Sequence, residues 1–425
     1  MDTRPTAAGC PFRLDPKALD IHAESAQLRD QGPATLVELP GGVAAWSVTD
    51  TALIKRLLTD SRVSKDAHRH WPDYINGRIP SKWPLRLWVD VKNALTAYGR
   101  EHGRLRRLIG KAFTVRRVRA LAPRIKDITH DLLDQLKEAA EHGETVDLRD
   151  RFAWILPLSV VNLLLGVPEH LHAPFRSAVE GIFATDKTEE QAEENGRELY
   201  RLLNDLITAK RQNPSDDVTS ALITAHDEQT DSHLTHQELQ DSILLVVGAA
   251  HETTVNAVVH AIVNLLTHRD QLALLRAGHA PWADAVEETL RHQAPVANLI
   301  MRFATEDLHD SASGVTFLQG EPIVINYAAA GRDPKVHGPQ ADRFDITRTT
   351  HRQHLSFGYG THLCLGAELA RLEAQIALHA LFDRFPNLTL ACPPSDLRPL
   401  ESFISNGYRA LPVHLRPDAA QAARR

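Results

Sequence analysis

The sequence predicts a mainly α-helical protein with a minor β region, and three observations carry that reading. The stretch from Thr235 to His268 opens on the capping box Thr235-x-x-Glu238 and continues through the apolar run Ile243–Val247. It predicts one helix ~50 Å long, enough to cross a domain. Helical periodicity dominates after Trp88, while strand signals are confined to the N-terminal part, Pro322–Tyr327 and Leu411–Leu415. No internal repeat, low-complexity block or long linker interrupts the chain. The expectation is a single domain over residues 1–425, with a flexible tail over 418–425.

Taken in order, Ile21 to Asp30 reads as a short helix. Thr35-Leu-Val-Glu-Leu-Pro and Val43-Ala-Ala-Trp-Ser-Val-Thr flank Gly41-Gly42, the pattern of a hairpin. Ser64 to Trp88 is turn-rich and carries tryptophans. The apolar run Trp154–Val167 is interrupted by Pro157 and Asn162 and is too short to span a bilayer, so it predicts a buried helix. Val167 to Leu234 holds charged helices and the loop Gln212-Asn-Pro-Ser-Asp-Asp.

Composition narrows the function classes. The chain is 43% hydrophobic and 24% charged, ordinary for a globular protein with a large core. A net charge of −6 gives no global attraction to nucleic acid or an anionic membrane. Cys10, Cys364 and Cys392 do not make a disulfide framework and suit a reducing compartment. The N-terminus has no apolar core of signal-peptide length. The expectation is a soluble, cytoplasmic monomer.

The chemistry concentrates at Phe357-Gly-Tyr-Gly-Thr-His-Leu-Cys-Leu-Gly366. Cys364 follows a turn-forming run with Gly358 and Gly360 and precedes a helix from about Ala367. That delivers a sulfur to a helix N-terminus, where free N–H groups and the dipole favour a thiolate. With no second Cys or His at zinc spacing, one axial bond to a haem iron suits it. The alternative is a small buried hydrophobe. A dinucleotide loop is excluded because Leu363 stands where a third glycine is needed.

This stretch resembles the haem-ligand loop of the cytochrome P-450 family, Phe-Gly-x-Gly-x-His-x-Cys-x-Gly. Phe357, Gly358, Gly360, His362, Cys364 and Gly366 meet every fixed position. The resemblance covers nearly the whole chain. It implies the triangular, helix-rich haem-thiolate fold, with haem b between the long central helix and the cysteine loop.

Further motifs follow in the family's order. His102 and Arg106 lie four apart on one helical face, and the resemblance gives them a haem propionate; a solvated basic face is the alternative. Tyr98-Gly99-Arg100 replaces the family's usual Asp-Pro-Pro, and Ala97-Tyr-Gly resembles an actinobacterial subgroup of macrolide and steroid hydroxylases. Gly248-Ala-Ala-His-Glu-Thr-Thr254 interrupts the apolar central helix. A metalloprotease His-Glu-x-x-His is excluded by Val255, and a polar stripe facing solvent stays open. The resemblance makes Glu252 and Thr253 the acid–alcohol pair that delivers protons during oxygen activation, with Ala250 at the usual glycine. Glu288 and Arg291 match the structural Glu-x-x-Arg, although a surface pair has the same spacing. Arg302 matches the second propionate arginine, and His362 would also reach a propionate. Phe183, Gly248, Ala249, Val296, Leu299 and Phe403 would line the substrate pocket.

The expected function is a haem-dependent monooxygenase hydroxylating an apolar small molecule, steroid or macrolide-like. Electrons would come from NAD(P)H through ferredoxin reductase and ferredoxin, docking near Cys364 on Arg104, Arg107, Lys111 and Arg371. A peroxygenase or isomerase, or a non-catalytic haem sensor or carrier, are the alternatives.

Overall fold

The computed structural model describes residues 10–183 and 189–415. Its axis is the helix His236–Thr267. The Thr235 hydroxyl accepts from the Glu238 N–H while the Glu238 carboxylate accepts from the Thr235 N–H, so the capping box forms as expected. From Val255 to Leu266 every residue is buried, the signature of a helix packed on all faces. Ile155–Leu165, Glu189–Gln212, Trp282–His292 and Ala367–Arg384 surround it. By length and composition this helix could cross a membrane, but 61% of its apolar window is buried inside the protein, which makes it a core helix.

The minor β region is a six-stranded sheet in the order Phe12–Arg13, Ala34–Leu39, Val43–Val48, Pro322–Asn326, Asn298–Ala304 and Val63–Ser64. The expected hairpin pairs antiparallel with Val37 opposite Ala45, turning on Gly41 and Gly42 at φ +88° and +83°. Pro322–Asn326 joins it in parallel and pairs antiparallel with Asn298–Ala304. That last strand was not expected. It is covered on both faces, so its sequence is a nearly continuous apolar run without alternation. Pro412–His414, within the expected C-terminal strand, lies between Thr145–Asp147 and Thr389–Leu390.

The tryptophan-rich segment folds into short helices Ala67–His70, Pro72–Ile75 and Leu87–Asp90. Buried Trp71 stacks on Phe303 at 5.4 Å and meets Trp83 edge-on at 5.6 Å, tying this segment to the sheet. The interrupted run at Trp154 is a buried helix, Ile155–Leu165, entered through a π-helical turn at Arg149–Ala153.

One core group makes stability depend on pH. Glu373, on Ala367–Arg384, is 2% exposed, and its Oε1 has no partner among the described residues. Burial pushes its carboxyl up to about 8 from an ordinary 4.5. Between those values the folded state holds a proton that the unfolded chain has released, so stability falls as pH rises. Glu373→Gln is expected to match the wild type near pH 4.5 and exceed it by on the order of 2–4 kcal/mol at pH 8. Urea denaturation at both pH values checks this.

Candidate active site

The cysteine loop is set by two left-handed glycines. Gly358 and Gly360 have φ +75° and +70°, and a Cβ on Gly360 would stand 2.5 Å from the Leu58 carbonyl oxygen. Gly358 N–H donates to Leu355 O at 2.7 Å and Cys364 N–H to Phe357 O at 2.8 Å, which closes the loop. The Phe357 ring carries the Arg371 guanidinium 4.4 Å above it. Gly366 precedes the helix Ala367–Arg384, and a Cβ there would lie 3.8 Å from Cys364 Sγ.

Cys364 is exposed on one side, yet protein crowds it on the others. That crowding pushes the thiol up, against the Gly366 N–H and the Arg106 and Arg371 guanidinia, which pull it down. The donors expected at the helix terminus are thus in place and pull toward the thiolate, against desolvation.

Cations without anions form the next layer. His102, Arg302 and Lys65 are buried, and the His102 and His362 rings lie 4.0 Å apart. Arg106 donates to the Leu363 carbonyl. Lys65 Nζ has only the Ile300 carbonyl, at 3.3 Å. His102 Nε2 and Arg302 Nη1 find no hydrogen-bond partner among the described residues. Burial and then His102, Lys65, Arg302 and Arg106 hold His362 well below the usual imidazole range. Orphaned donors converging with no carboxylate among them suit a ligand that brings its own negative charges. Lys65 was missed because nothing near Ser64-Lys-Asp separates it from a surface lysine.

On the central helix, Ala249 is exposed although helices surround it, so this turn opens onto a cleft. The Thr253 hydroxyl donates to the Ala249 carbonyl at 2.7 Å, leaving its lone pairs free to accept. Ala250 packs its methyl against the main core. Burial pushes the Glu252 carboxyl up, opposed by Arg149 and the Ser405 hydroxyl. Neither neighbour belongs to a motif that sequence could flag; both arrive by tertiary packing.

Glu288 and Arg291 are not a surface pair. Both side chains are 0% exposed and joined by two bonds of 2.7 Å. Of the pocket candidates, Gly248 is half-buried beside Ala249, and Val296 and Leu299 are half-buried against the β-region cores. The Phe183 side chain lies outside the described residues. Phe403 is 3% exposed and packs with Ile300, Met301 and Val324 in the β-region core, so it is a core residue rather than an open pocket wall.

The four cations expected to meet a ferredoxin also have partners within the chain. Arg104 pairs with Glu238, Arg107 with Asp227 at 2.8 Å, Arg371 with Glu287, and Lys111 Nζ donates to His226 O at 2.8 Å. These cations are engaged within the chain.

A partly exposed thiol, an anion-free cation cluster and an acid–alcohol pair on a long helix define the haem-thiolate class of oxygenases. The comparisons agree. The sequence model of cytochrome P-450 matches residues 282–403. The 2-hydroxy-5-methyl-1-naphthoate 7-hydroxylase of Streptomyces carzinostaticus is 43% identical, over 98% of this chain and 100% of that protein. CYP154A1 from Streptomyces coelicolor A3(2) superposes with a TM-score of 0.86 at 48% identity, covering 95% of this chain and all of the other. A "Testerone bound" CYP154C4 from Streptomyces sp. ATCC 11861 gives 0.89 at 40% identity, covering 96% and 99%. The chain belongs to the cytochrome P-450 family, and it is a haem-containing monooxygenase.

Proposed function

We propose that this monooxygenase hydroxylates an apolar small molecule, steroid or macrolide-like, and draws electrons from NAD(P)H through ferredoxin reductase and ferredoxin. In this reading it is one domain, monomeric and cytoplasmic. The observation that carries it is the exposed Cys364 beside buried cations that lack an anion. Relatives named for a naphthoate, for 6-deoxyerythronolide B and as "Testerone bound" support a bulky, largely apolar guest.

Cys364 Sγ would be the iron ligand, as thiolate. His102, Arg106, Arg302 and His362 would hold the propionates, and Phe357, Gly358 and Gly366 would shape the loop against the haem. Haem, when bound, supplies the iron at which dioxygen is activated and one oxygen atom is inserted into a C–H bond. The chain's own part is proton handling. Glu252 would take up a proton from the solvent side at its carboxyl oxygen and release it toward the cleft, while Thr253 Oγ1, whose own O–H donates to Ala249 O, accepts a hydrogen bond there. The presence of this pair argues against a peroxygenase or isomerase.

The test is optical. The dithionite-reduced protein under carbon monoxide is expected to show the long-wavelength Soret band of thiolate-ligated iron, and a steroid to shift the ferric form to high spin. A histidine-type band in folded protein, or no response to any steroid or macrolide, rejects the reading. Thr253→Ala and Glu252→Gln are expected to keep both spectra yet lower product per NAD(P)H by on the order of 10²-fold. Full coupling in both would mean that protons travel elsewhere.

A further inference from the structure

Glu252 has a charged neighbour that no motif announces. The five residues Arg149–Ala153 form a π-helical turn, closed by Trp154 N–H donating to Arg149 O at 2.8 Å. Such turns are rare and recur at functional sites. This one packs on the central helix and is fastened to the residue just before Glu252. His251 Nε2 lies 2.9 Å from the Trp154 carbonyl oxygen, and the two rings meet edge-to-face at 4.3 Å. The turn and the acid are thus held in one frame.

Arg149 uses that frame. Its guanidinium lies 5.1 Å over the Trp154 ring, which fixes the plane of the group. Its Nε is buried and finds no hydrogen-bond partner among the described residues. Glu252 is its strongest attraction, ahead of Asp147 and Asp150 on its own segment. No direct ion pair joins Arg149 to Glu252, so the contact is one of field and orientation. The Ser405 hydroxyl, from the C-terminal loop, hydrogen-bonds the same carboxylate; Gly407 holds that loop against the helix, since a Cβ there would stand 2.1 Å from Asn256 Oδ1. Along its own helix the neighbour His251 is turned to Trp154. Arg149 is therefore the charged group that faces Glu252 from the packed elements.

We propose that Arg149 is the positioning residue for Glu252: its guanidinium, held over the Trp154 ring that packs on His251, sets the field at the neighbouring carboxylate. This rests on the proton-delivery role proposed for Glu252. A proton donor works best when its affinity for the proton sits near the working pH. Burial drives the Glu252 carboxyl up, and an unopposed rise would leave it holding its proton; Arg149 opposes that rise.

The experiment compares Arg149→Gln, Arg149→Lys and Glu252→Gln in haem-loaded protein. Arg149 is only half-buried on its turn, so these changes leave the core intact. The first readout is the infrared carboxyl band of Glu252 against pH, assigned by its loss in Glu252→Gln. Its midpoint is expected to move upward in Arg149→Gln and to return in Arg149→Lys. The second is product per NAD(P)H, expected to fall about two- to fivefold in Arg149→Gln, the scale of one partly screened charge pair, and to recover in Arg149→Lys. A band that stays in place, or equal losses in both Arg149 variants, overturns the proposal. Normal coupling in Glu252→Gln overturns the role of Glu252 itself. Lost coupling there with an unmoved band in Arg149→Gln overturns only the positioning by Arg149.

Discussion

Cys364→Ala is expected to fold normally and to lose the thiolate-type reduced carbon monoxide band, with turnover falling to background. The loop does not depend on the sulfur. Its closure comes from the Cys364 backbone N–H on Phe357 O and from the left-handed Gly358 and Gly360, and all of these survive truncation at Cβ. The side chain is exposed on one side, so its removal opens no core cavity. Haem affinity should fall less than activity, because His102, Arg302 and Lys65 still offer unpaired donors to its propionates. Far-ultraviolet circular dichroism, haem titration and the carbon monoxide spectrum separate the outcomes. An unchanged spectrum means that Cys364 is not the ligand.

The contrast between Cys364 and Arg149 marks what sequence could carry. The cysteine loop is local: its turn, sulfur and helix start are contiguous, so residue types and spacing specify both geometry and chemistry. The capping box at Thr235 and the Gly41-Gly42 hairpin are legible for the same reason. Arg149, Ser405 and Lys65 reach the site from distant segments, and no local pattern encodes such an approach. Helical spacing also tells which face a side chain takes and not what waits there. Arg104, Arg107 and Lys111 read as free basic contacts, and the structure adds Glu238, Asp227 and the His226 carbonyl as their partners. Phe403 failed in the opposite sense: an aromatic at the expected place turned into the core while Ser405 faced Glu252. For Glu288 and Arg291, spacing allowed a surface pair or a buried anchor, and only burial decided.

Arg291→Leu is expected to cost about 3–5 kcal/mol, the largest stability effect of any single substitution considered for this protein. All five guanidinium N–H groups are spent. Two go to Glu288, one each to Gly331 O at 2.7 Å and Ala341 O at 2.6 Å, and one to Arg343 O at 2.8 Å. Glu288 Oε1 also accepts the Asp345 N–H at 2.8 Å and lies 3.4 Å from Arg348 Nε. Leucine would strand the Gly331 and Ala341 carbonyls, leave the Arg343 carbonyl to Arg348 alone at 3.0 Å, and leave a buried carboxylate with Arg348 as its remaining cation. Nor can the chain close in to compensate, because Gly331 already packs so tightly that a Cβ would stand 2.1 Å from the Arg291 carbonyl oxygen. Arg291→Lys keeps the charge but loses the fork, so it should recover only part of the loss. The exposed helical pair Arg201–Glu198 is the control, expected to cost under ~1 kcal/mol when broken. Because Ala341 and Arg343 belong to the coil leading toward the cysteine loop, Arg291→Leu should also release haem at a lower urea concentration than the control. Equal urea midpoints for the two variants would mean that this network is not what fastens the loop.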